Sequence, residues 1–295
     1  MAFIPTDFCV FYLLHQIKTV WPVGWLVAAV WRIISKMMLV SAVVLLSFYA
    51  ALCVADNLRH NYIFDGEKTF KKTGTGNTPI SDKISTHSYQ KMYGTILLPM
   101  IEKFDYNKKK LKFLEIGLGC GMIYGPGASV KLWKQLFEGR DVELWEAEFN
   151  AECVKKSREA GQLEGIKTVT GDQADPEVLK RWVEETGGKF DVIIDDGGHK
   201  SHQVLNTFEV MWPQLNPDGN YFIEDLQIAY NPGWNKAGIP PVTKIIQAWV
   251  EVLTVGEQFM GDHHHHQHIL SKYPRPAGLD SIYCQKDGCV LHKSA

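Results

Sequence analysis

Two strand-like stretches of the chain end in acidic residues. "DVIIDDGGHKSH" at 191–202 runs from hydrophobic residues into Asp195, Asp196 and His199. "YFIEDL" at 221–226 ends in Glu224 and Asp225. Aspartate and glycine are common in turns, so both stretches could be turns with capping acids. Paired acids at two strand ends favour a site instead, in which carboxylates could hold a hard divalent cation and an imidazole could accept a proton.

A glycine-rich turn follows an earlier strand-like run, "FLEIGLGCG" at 113–121. Gly117, Gly119 and Gly121 allow the backbone to turn tightly and to approach a ligand closely. The dinucleotide-binding pattern G-x-G-x-x-G fails because residue 122 is methionine. The pattern that is present, which begins at Glu115, resembles the turn of S-adenosylmethionine-dependent methyltransferases. A glycine turn of another α/β protein is the alternative.

The next two strand-like runs also end in polar residues. An acid at the end of the second strand can accept hydrogen bonds from ribose hydroxyls, and the strand-end position favours Glu148 over Glu146. The third run ends in "VTGDQAD", where Asp172 could accept from an adenine amino group with Gln173 beside it. Helix capping is the alternative for Asp172, although Asp175 before a proline fits that position better.

Strand-like and helix-like segments alternate from about residue 81 onward. Such alternation predicts an α/β fold with a mostly parallel sheet and helices on both faces. Ligands of such sheets bind beyond the carboxyl ends of the strands. The acidic and glycine-rich residues described above all lie at those ends.

The N-terminal part of the chain has a different composition. Residues 37–55, "MMLVSAVVLLSFYAALCVA", contain no charge and are long enough for a transmembrane helix. We expect a single membrane anchor there, with a buried core helix or a cleaved signal as alternatives. Arg32 and Lys36 favour a cytoplasmic N-terminus, but the basic residues of 59–72 oppose this. A second crossing within 8–31 would reverse the orientation.

The overall charge and the cysteines narrow the function classes. The formal net charge is −2, which does not favour nucleic-acid binding, since that requires a basic surface. The six cysteines are scattered, without the C-x-x-C spacing of a zinc site. Cys284 and Cys289 could form a disulfide in an oxidising compartment, but we expect two unpaired thiols.

Four segments together resemble a known family: "SDKISTHSYQKMYGTILLPMIE", "FLEIGLGCGMIYGPGASVKLWKQLF", "IIDDGGHKSHQVLNTFEVMWPQLNPDGNYFIEDLQIAY" and "LDSIYCQKDGCVLHK". They look like the metal-dependent sugar O-methyltransferases of macrolide biosynthesis, the mycinamicin and tylosin type. The resemblance implies a class I, Rossmann-like methyltransferase domain over 81–295. The composition of the N-terminal part predicts a cytoplasmic or interfacial segment (1–36), an anchor (37–55) and a stem (56–80) before that domain, and the anchor departs from the family pattern.

The resemblance also implies roles for the residues at the strand ends. Asp196, Glu224 and Asp225 would hold Mg²⁺, and His199 would act as the base. The residues expected to bind S-adenosylmethionine are Glu115, Gly117, Gly119, Gly121, Glu148, Asp172, Gln173 and Asp195. Asp195 is left out of the metal set because it points to the opposite side of the strand from Asp196.

The expected reaction is transfer of a methyl group from S-adenosylmethionine to a hydroxyl of a sugar or glycosylated acceptor. A small-molecule or peptide methyltransferase and an inactive, membrane-tethered binding protein are the alternatives. We expect no nucleic-acid partner, and homo-oligomerisation stays open. Arg32 and Lys36 weakly favour a luminal catalytic domain in the endoplasmic reticulum or Golgi. His87 and Tyr89 could contact cofactor or acceptor, and the histidine tract 263–268 is expected in a solvated loop or in the acceptor pocket.

Overall fold

The computed structural model of the protein describes residues 31, 34, 35, 81–259 and 266–295. The chain divides into two compact units, Met1–Tyr62 and Ile63–Ala295. The predicted anchor at 37–55 and the stem at 56–80 lie outside the described residues and stay predictions. Within the described ranges, no helix combines the length and the apolar composition that a membrane crossing requires.

Within the second unit, helices and strands alternate as predicted. The α-helices are α1 (Asp82–Ser85), α2 (Gln90–Met92), α3 (Leu98–Tyr106), α4 (Ala128–Leu136), α5 (Ala151–Glu159), α6 (Pro176–Thr186), α7 (Ser201–Met211), α8 (Val242–Val255) and α9 (Gln267–Leu270). The strands are β1 (Leu111–Ile116), β2 (Val142–Glu148), β3 (Lys167–Thr170), β4 (Phe190–Asp195), β5 (Leu215–Ile223), β6 (Leu279–Gln285) and β7 (Gly288–Lys293). A π-helical segment, Tyr93–Leu97, joins α2 to α3.

The strands form one seven-stranded sheet in the order β3-β2-β1-β4-β5-β7-β6. Strands β1 to β5 pair in parallel, whereas β7 pairs antiparallel with β5 and with β6. The prediction of a mostly parallel sheet is confirmed. The strand order reverses between β1 and β4, so the carboxyl ends of these two neighbours border the crevice where such sheets bind ligands.

Helices cover both faces of the sheet. Successive side chains of a strand point to opposite faces, so those of the central strands are buried on both sides. On β5, Tyr221 packs in one core cluster and Phe222 in another. The first cluster contains side chains of α6, α7 and α8, among them Trp182 and Trp249. The second contains side chains from the N-terminal helices and α4, among them Trp133. Burial on both faces explains why these strands are nearly continuous hydrophobic runs.

Local signals in the sequence define the ends of α6. The Asp175 side chain accepts a hydrogen bond from the Glu177 amide at 2.9 Å, and Pro176 follows at the first helical position. Gly187, at φ 75°, ends the helix in the left-handed conformation. The prediction that Asp175 caps this helix is confirmed.

The C-terminal hairpin corrects the prediction for two of the cysteines. Cys284 on β6 faces Cys289 on β7 in the antiparallel register, with a Cα–Cα distance of 4.1 Å. The two residues form a disulfide, so the expectation of two unpaired thiols is wrong. The tight turn between β6 and β7 brings the cysteines together, which a five-residue spacing alone does not reveal.

Candidate active site

A cavity of about 600 Å³ opens at the carboxyl ends of β1, β2 and β4. This volume lies in the usual range for pockets that bind small molecules. Its wall contains the residues expected at the strand ends: Gly117, Gly119, Gly121, Glu148, Asp172, Gln173, Asp196, His199 and Asp225. The sheet topology therefore brings most of the predicted site residues into one place.

Gly117 allows the ends of β1 and β4 to approach each other. Its φ is +114°, and a Cβ atom there would lie 2.1 Å from the carbonyl oxygen of Asp196. Any side chain would overlap this backbone atom and force the two strand ends apart. Gly117 thus places the glycine turn directly beside the acidic end of β4.

Glu148 ends β2 at the cavity wall. Its carboxylate accepts hydrogen bonds from the backbone amides of Leu118 at 3.1 Å and Asn150 at 3.0 Å. Glu146 is buried, and burial together with the neighbouring Glu115 raises its pKa well above the usual range. Of the two glutamates, Glu148 is the one that borders the cavity.

Gln173 joins the end of β3 to the turn after β4. Its side-chain oxygen accepts from the Gly198 amide at 2.7 Å, and its amide nitrogen donates to Asp195 Oδ1 at 3.0 Å. A Cβ at Gly197 would lie 1.9 Å from that Gln173 oxygen, so a side chain there would displace the Gln173 amide. Asp172 lies in the cavity wall and accepts from the Ala174 amide at 2.8 Å.

Glu115 and Asp195 lie behind the cavity wall, which differs from their expected place among the cofactor-binding residues. Asp195 is 1% exposed, and burial raises its pKa to about 6. The Glu115 side chain is 0% exposed and accepts from the Trp133 indole nitrogen at 2.8 Å. Asp195 accepts from Gln173 of the wall, and Glu115 contacts Trp133 and Lys83 behind it, so neither carboxylate lines the cavity.

Asp196, His199 and Asp225 meet on the other side of the cavity. Their ligand atoms all lie within 4.8 Å of one another. His199 Nε2 is 3.9 Å from Asp196 Oδ1 and 3.7 Å from Asp225 Oδ2. His199 and Asp225 have φ values of 57° and 54°, in the left-handed region that non-glycine residues rarely adopt. Such conformations are costly, and they concentrate at functional sites.

Glu224, the third predicted metal ligand, lies outside this cluster. Its side chain is 1% exposed and accepts from Lys83 Nζ at 2.5 Å and from the Tyr93 hydroxyl. Burial raises the pKa of Glu224, and the nearby Lys83 ammonium opposes that shift. The Glu224 carboxylate is therefore directed toward the buried Lys83. Asp196, by contrast, directs Oδ2 to Lys83 and Oδ1 toward His199 at the cavity.

Lys83 is the central contact of this buried group. Its Nζ lies 3.2 Å from Glu115, 2.7 Å from Asp196 and 2.5 Å from Glu224. Burial alone would lower the pKa of Lys83, but these three carboxylates raise it well above the usual range. The lysine is therefore a permanent cation that compensates the charge of the buried acids.

The N-terminal segment 81–93 supplies a contact for each predicted metal ligand. The Tyr89 hydroxyl donates to Asp225 Oδ1 at 2.9 Å and accepts from the Asp225 amide at 3.0 Å. His87 stacks on Tyr89 and lies between Asp225 and Asp287, at 3.5 and 3.2 Å. His87 and Tyr89 thus hold Asp225, as Lys83 holds Asp196 and Glu224. The sequence contains no local signal for Lys83 or Tyr93.

The residues present fit a divalent cation. Two carboxylates and an imidazole converge at the cavity, and hard oxygen ligands suit Mg²⁺. They also fit a nucleoside cofactor, because glycines permit close backbone approach beside an acid at the end of β2. Residues 263–265 of the histidine tract lie outside the described residues. At its described end, His266 Nδ1 lies 2.7 Å from Glu251 Oε2 on α8.

Comparison with known proteins agrees with this geometry. Residues 114–226 match a protein-family model described as "Methyltransferase domain". A rhamnosyl tetracenomycin-C 2'-O-methyltransferase of Streptomyces olivaceus is 32% identical over 158 residues, which cover 53% of this chain and 38% of that protein. The mycinamicin VI 2''-O-methyltransferase of Micromonospora griseorubida is 34% identical over 138 residues, which cover 46% of this chain and 32% of that protein. The matches thus span less than half the length of these relatives.

The fold also resembles a solved methyltransferase. The mycinamycin-pathway enzyme MycE, in complex with Mg, SAH and mycinamycin VI, aligns with a TM-score of 0.54 and 23% identity. The alignment covers 71% of this chain and 49% of that one. The predicted class I, Rossmann-like methyltransferase fold is therefore confirmed, as is the resemblance to sugar O-methyltransferases.

Proposed function

We propose that this protein is an S-adenosylmethionine- and Mg²⁺-dependent O-methyltransferase that acts on a hydroxyl of a sugar or glycosylated acceptor. One observation carries the proposal. A single cavity has a glycine turn and Glu148 on one side, and Asp196, His199 and Asp225 on the other. The names of the relatives, which are O-methyltransferases of glycosylated molecules, support the acceptor class.

The first side of the cavity would hold the cofactor. Gly117 and Gly119 leave room for close approach, and Glu148 is fixed by two backbone amides at the position where ribose hydroxyls could donate to it. Asp172 lies in the same wall and is available to the adenine amino group. When bound, S-adenosylmethionine supplies an electrophilic methyl group, and the residues of the wall fix its orientation toward the acceptor.

The second side would hold the metal and the acceptor hydroxyl. Asp196 and Asp225 direct carboxylate oxygens to the cavity, and Glu224 stays a predicted ligand that would have to exchange contacts with Lys83. Bound Mg²⁺ would stabilise negative charge on an acceptor oxygen. The residues of the segment 81–93 hold the carboxylates in place for this task.

His199 is the residue that we assign to proton removal. Its Nε2 lies 3.7 and 3.9 Å from the two carboxylates, beyond the range of a hydrogen bond. The ring nitrogen can therefore accept the acceptor's hydroxyl proton within the cavity. The adjacent carboxylates would stabilise the imidazolium that forms.

The test is methyl transfer by the full-length protein from labelled S-adenosylmethionine into fractionated cell extract, with Mg²⁺ or with excess chelator. We expect label in O-methyl sugars after acid hydrolysis, with loss of label in chelator. His199→Ala should slow transfer by about 10²–10⁴-fold, while His268→Ala, an exposed control, should not. Label in peptide or phenol fractions would support the small-molecule alternative. No labelled product, together with no cofactor binding, would support an inactive binding protein.

We also propose that the catalytic domain resides in an oxidising compartment, as a luminal domain would. Among the residues that the structure describes, every cysteine is paired, Cys120 with Cys153 and Cys284 with Cys289. Structural disulfides are typical of secreted and luminal proteins and are rare in the cytosol. The membrane anchor at 37–55 remains part of this proposal.

A further inference from the structure

We infer that the Cys120–Cys153 disulfide is a positioning element of the cofactor-binding cavity, so that cofactor affinity depends on the oxidised pair. The inference rests on the proposed function for the identity of the cofactor. Cys120 lies within the glycine turn after β1 and lines the cavity. Cys153 lies in the first turn of α5, 33 residues further along the chain, with a Cα–Cα distance of 6.1 Å.

The disulfide closes a ring of contacts around Glu148. The Glu148 carboxylate accepts from the Leu118 amide on one side and from the Asn150 amide on the other, at 3.1 and 3.0 Å. Asn150 in turn accepts from the Cys153 amide at 3.0 Å. The Cys120–Cys153 bond then connects α5 back to the turn two residues after Leu118. The glycine turn and the acid proposed to bind ribose are thus held in register by one covalent link.

The part of the turn beyond Cys120 is held by backbone hydrogen bonds, from Met122 to Gly119 and from Gly127 to Leu118, but its side chains pack against little else. Ile123 is fully exposed, and a Cβ built at Gly121 would meet nothing within 4 Å. Cys120 itself packs against a small apolar cluster that includes Leu118 and Val154. The Tyr124 hydroxyl also donates to Asp82 at 2.9 Å, on an exposed surface. With so few packing contacts, the covalent link strongly restricts where this wall of the cavity can lie.

The second disulfide provides a matched control. Cys284 and Cys289 join neighbouring strands of a hairpin and border a different surface depression, away from the glycine turn. Neither of these cysteines takes part in the ring of contacts around Glu148, so removing this pair leaves that ring intact. A phosphine reduces each disulfide to two thiols, while the phosphine becomes its oxide and water supplies the oxygen and the two protons.

The experiment measures S-adenosylhomocysteine binding to the full-length protein by calorimetry. The variants are Cys120→Ser with Cys153→Ser, and Cys284→Ser with Cys289→Ser. We expect the first pair to weaken binding by about tenfold or more, because the cavity loses its preorganisation. The second pair should bind like the wild type. The Cys284→Ser, Cys289→Ser variant keeps the Cys120–Cys153 disulfide, so phosphine should weaken its binding of S-adenosylhomocysteine. Phosphine should leave the affinity of the Cys120→Ser, Cys153→Ser variant unchanged.

Two further measurements separate positioning from general loosening. Thermal melting shows whether each protein is folded at the binding temperature, and Mn²⁺ titration reports on the carboxylate side of the cavity. Weaker S-adenosylhomocysteine binding with unchanged Mn²⁺ affinity supports the inference. Unchanged cofactor affinity in the folded first variant, or in the reduced second variant, overturns it. A wild-type protein that binds no S-adenosylhomocysteine would refute the proposed function as well.

Discussion

No local sequence pattern identifies Lys83 as a residue of the site. Lys83 lies in the short helix α1, two residues after the helix cap Ser81. Its contacts with Glu115, Asp196 and Glu224 join residues that are far apart in the chain. Patterns of spacing find acids that share a strand end, but they cannot find a cation that reaches those acids from another element.

Replacing Lys83 should destabilise the protein strongly. Lys83→Met leaves the buried Glu115 and Glu224 and the partly exposed Asp196 without their cation, and breaking a buried ion pair by removing one partner typically costs about 3–5 kcal/mol. Urea denaturation would measure the free energy of unfolding. Lys91→Met, in the same segment but exposed, is the control and should change that free energy by less than about 0.5 kcal/mol. Similar values for both variants would contradict the central role of Lys83.

Asp195 should make the stability dependent on pH. Its pKa is raised to about 6 in the folded protein, chiefly by burial, so the folded state binds a proton more tightly than the unfolded chain. The associated stability is present below the usual pKa of aspartate and is lost as the pH rises through about 6.

The variant Asp195→Asn cannot titrate and isolates this effect. Because the folded pKa of about 6 lies well above that of an unfolded aspartate, the wild type should lose about 2 kcal/mol of unfolding free energy relative to the variant between about pH 4 and pH 7. Urea denaturation at several pH values measures the difference. A difference that is constant across this range would show that the carboxyl is not perturbed.

At the scale of elements, the strand ends were the most predictable part of the site. Continuous apolar runs predicted buried parallel strands, and parallel strands place their carboxyl ends at one edge. Glu148, Asp172, Asp196 and Asp225 therefore line one cavity, as expected. The segment 81–93 and the Cys120–Cys153 pair were not predictable in the same way, because long-range packing and not periodicity determines their positions.

The glycine turn offers a sharp test of this arrangement. Gly117→Ala would place a Cβ 2.1 Å from the Asp196 carbonyl oxygen at a φ of +114°, so β1 and β4 would have to separate. We expect a loss of at least about 3 kcal/mol in unfolding free energy and a loss of S-adenosylhomocysteine binding. Gly121→Ala is the matched control for the free energy of unfolding, because its Cβ meets nothing within 4 Å. Equal effects of the two substitutions would refute the close approach of the strands.

At the scale of the whole molecule, the two disulfides make the stability of the fold depend on the redox state of the cellular compartment. The 33-residue separation of Cys120 and Cys153 means that their bond restricts a large loop of the unfolded chain. By the chain-entropy account, such a bond stabilises the folded protein by about 3–4 kcal/mol. A cytosolic domain would lose this contribution, because reducing conditions would open the bond.

Thiol labelling in intact cells can therefore report where the catalytic domain folds. If the domain is luminal, a maleimide added on denaturation should label at most Cys9 and Cys53 without reductant, and all six cysteines after reduction. Protease protection of isolated membranes should agree, with the C-terminal domain resistant until detergent is added. Labelling of Cys120 and Cys153 without reductant would place the domain in a reducing compartment. In that case the cofactor-binding turn would lack its covalent link in the cell, and S-adenosylmethionine would have to bind to the looser, reduced form.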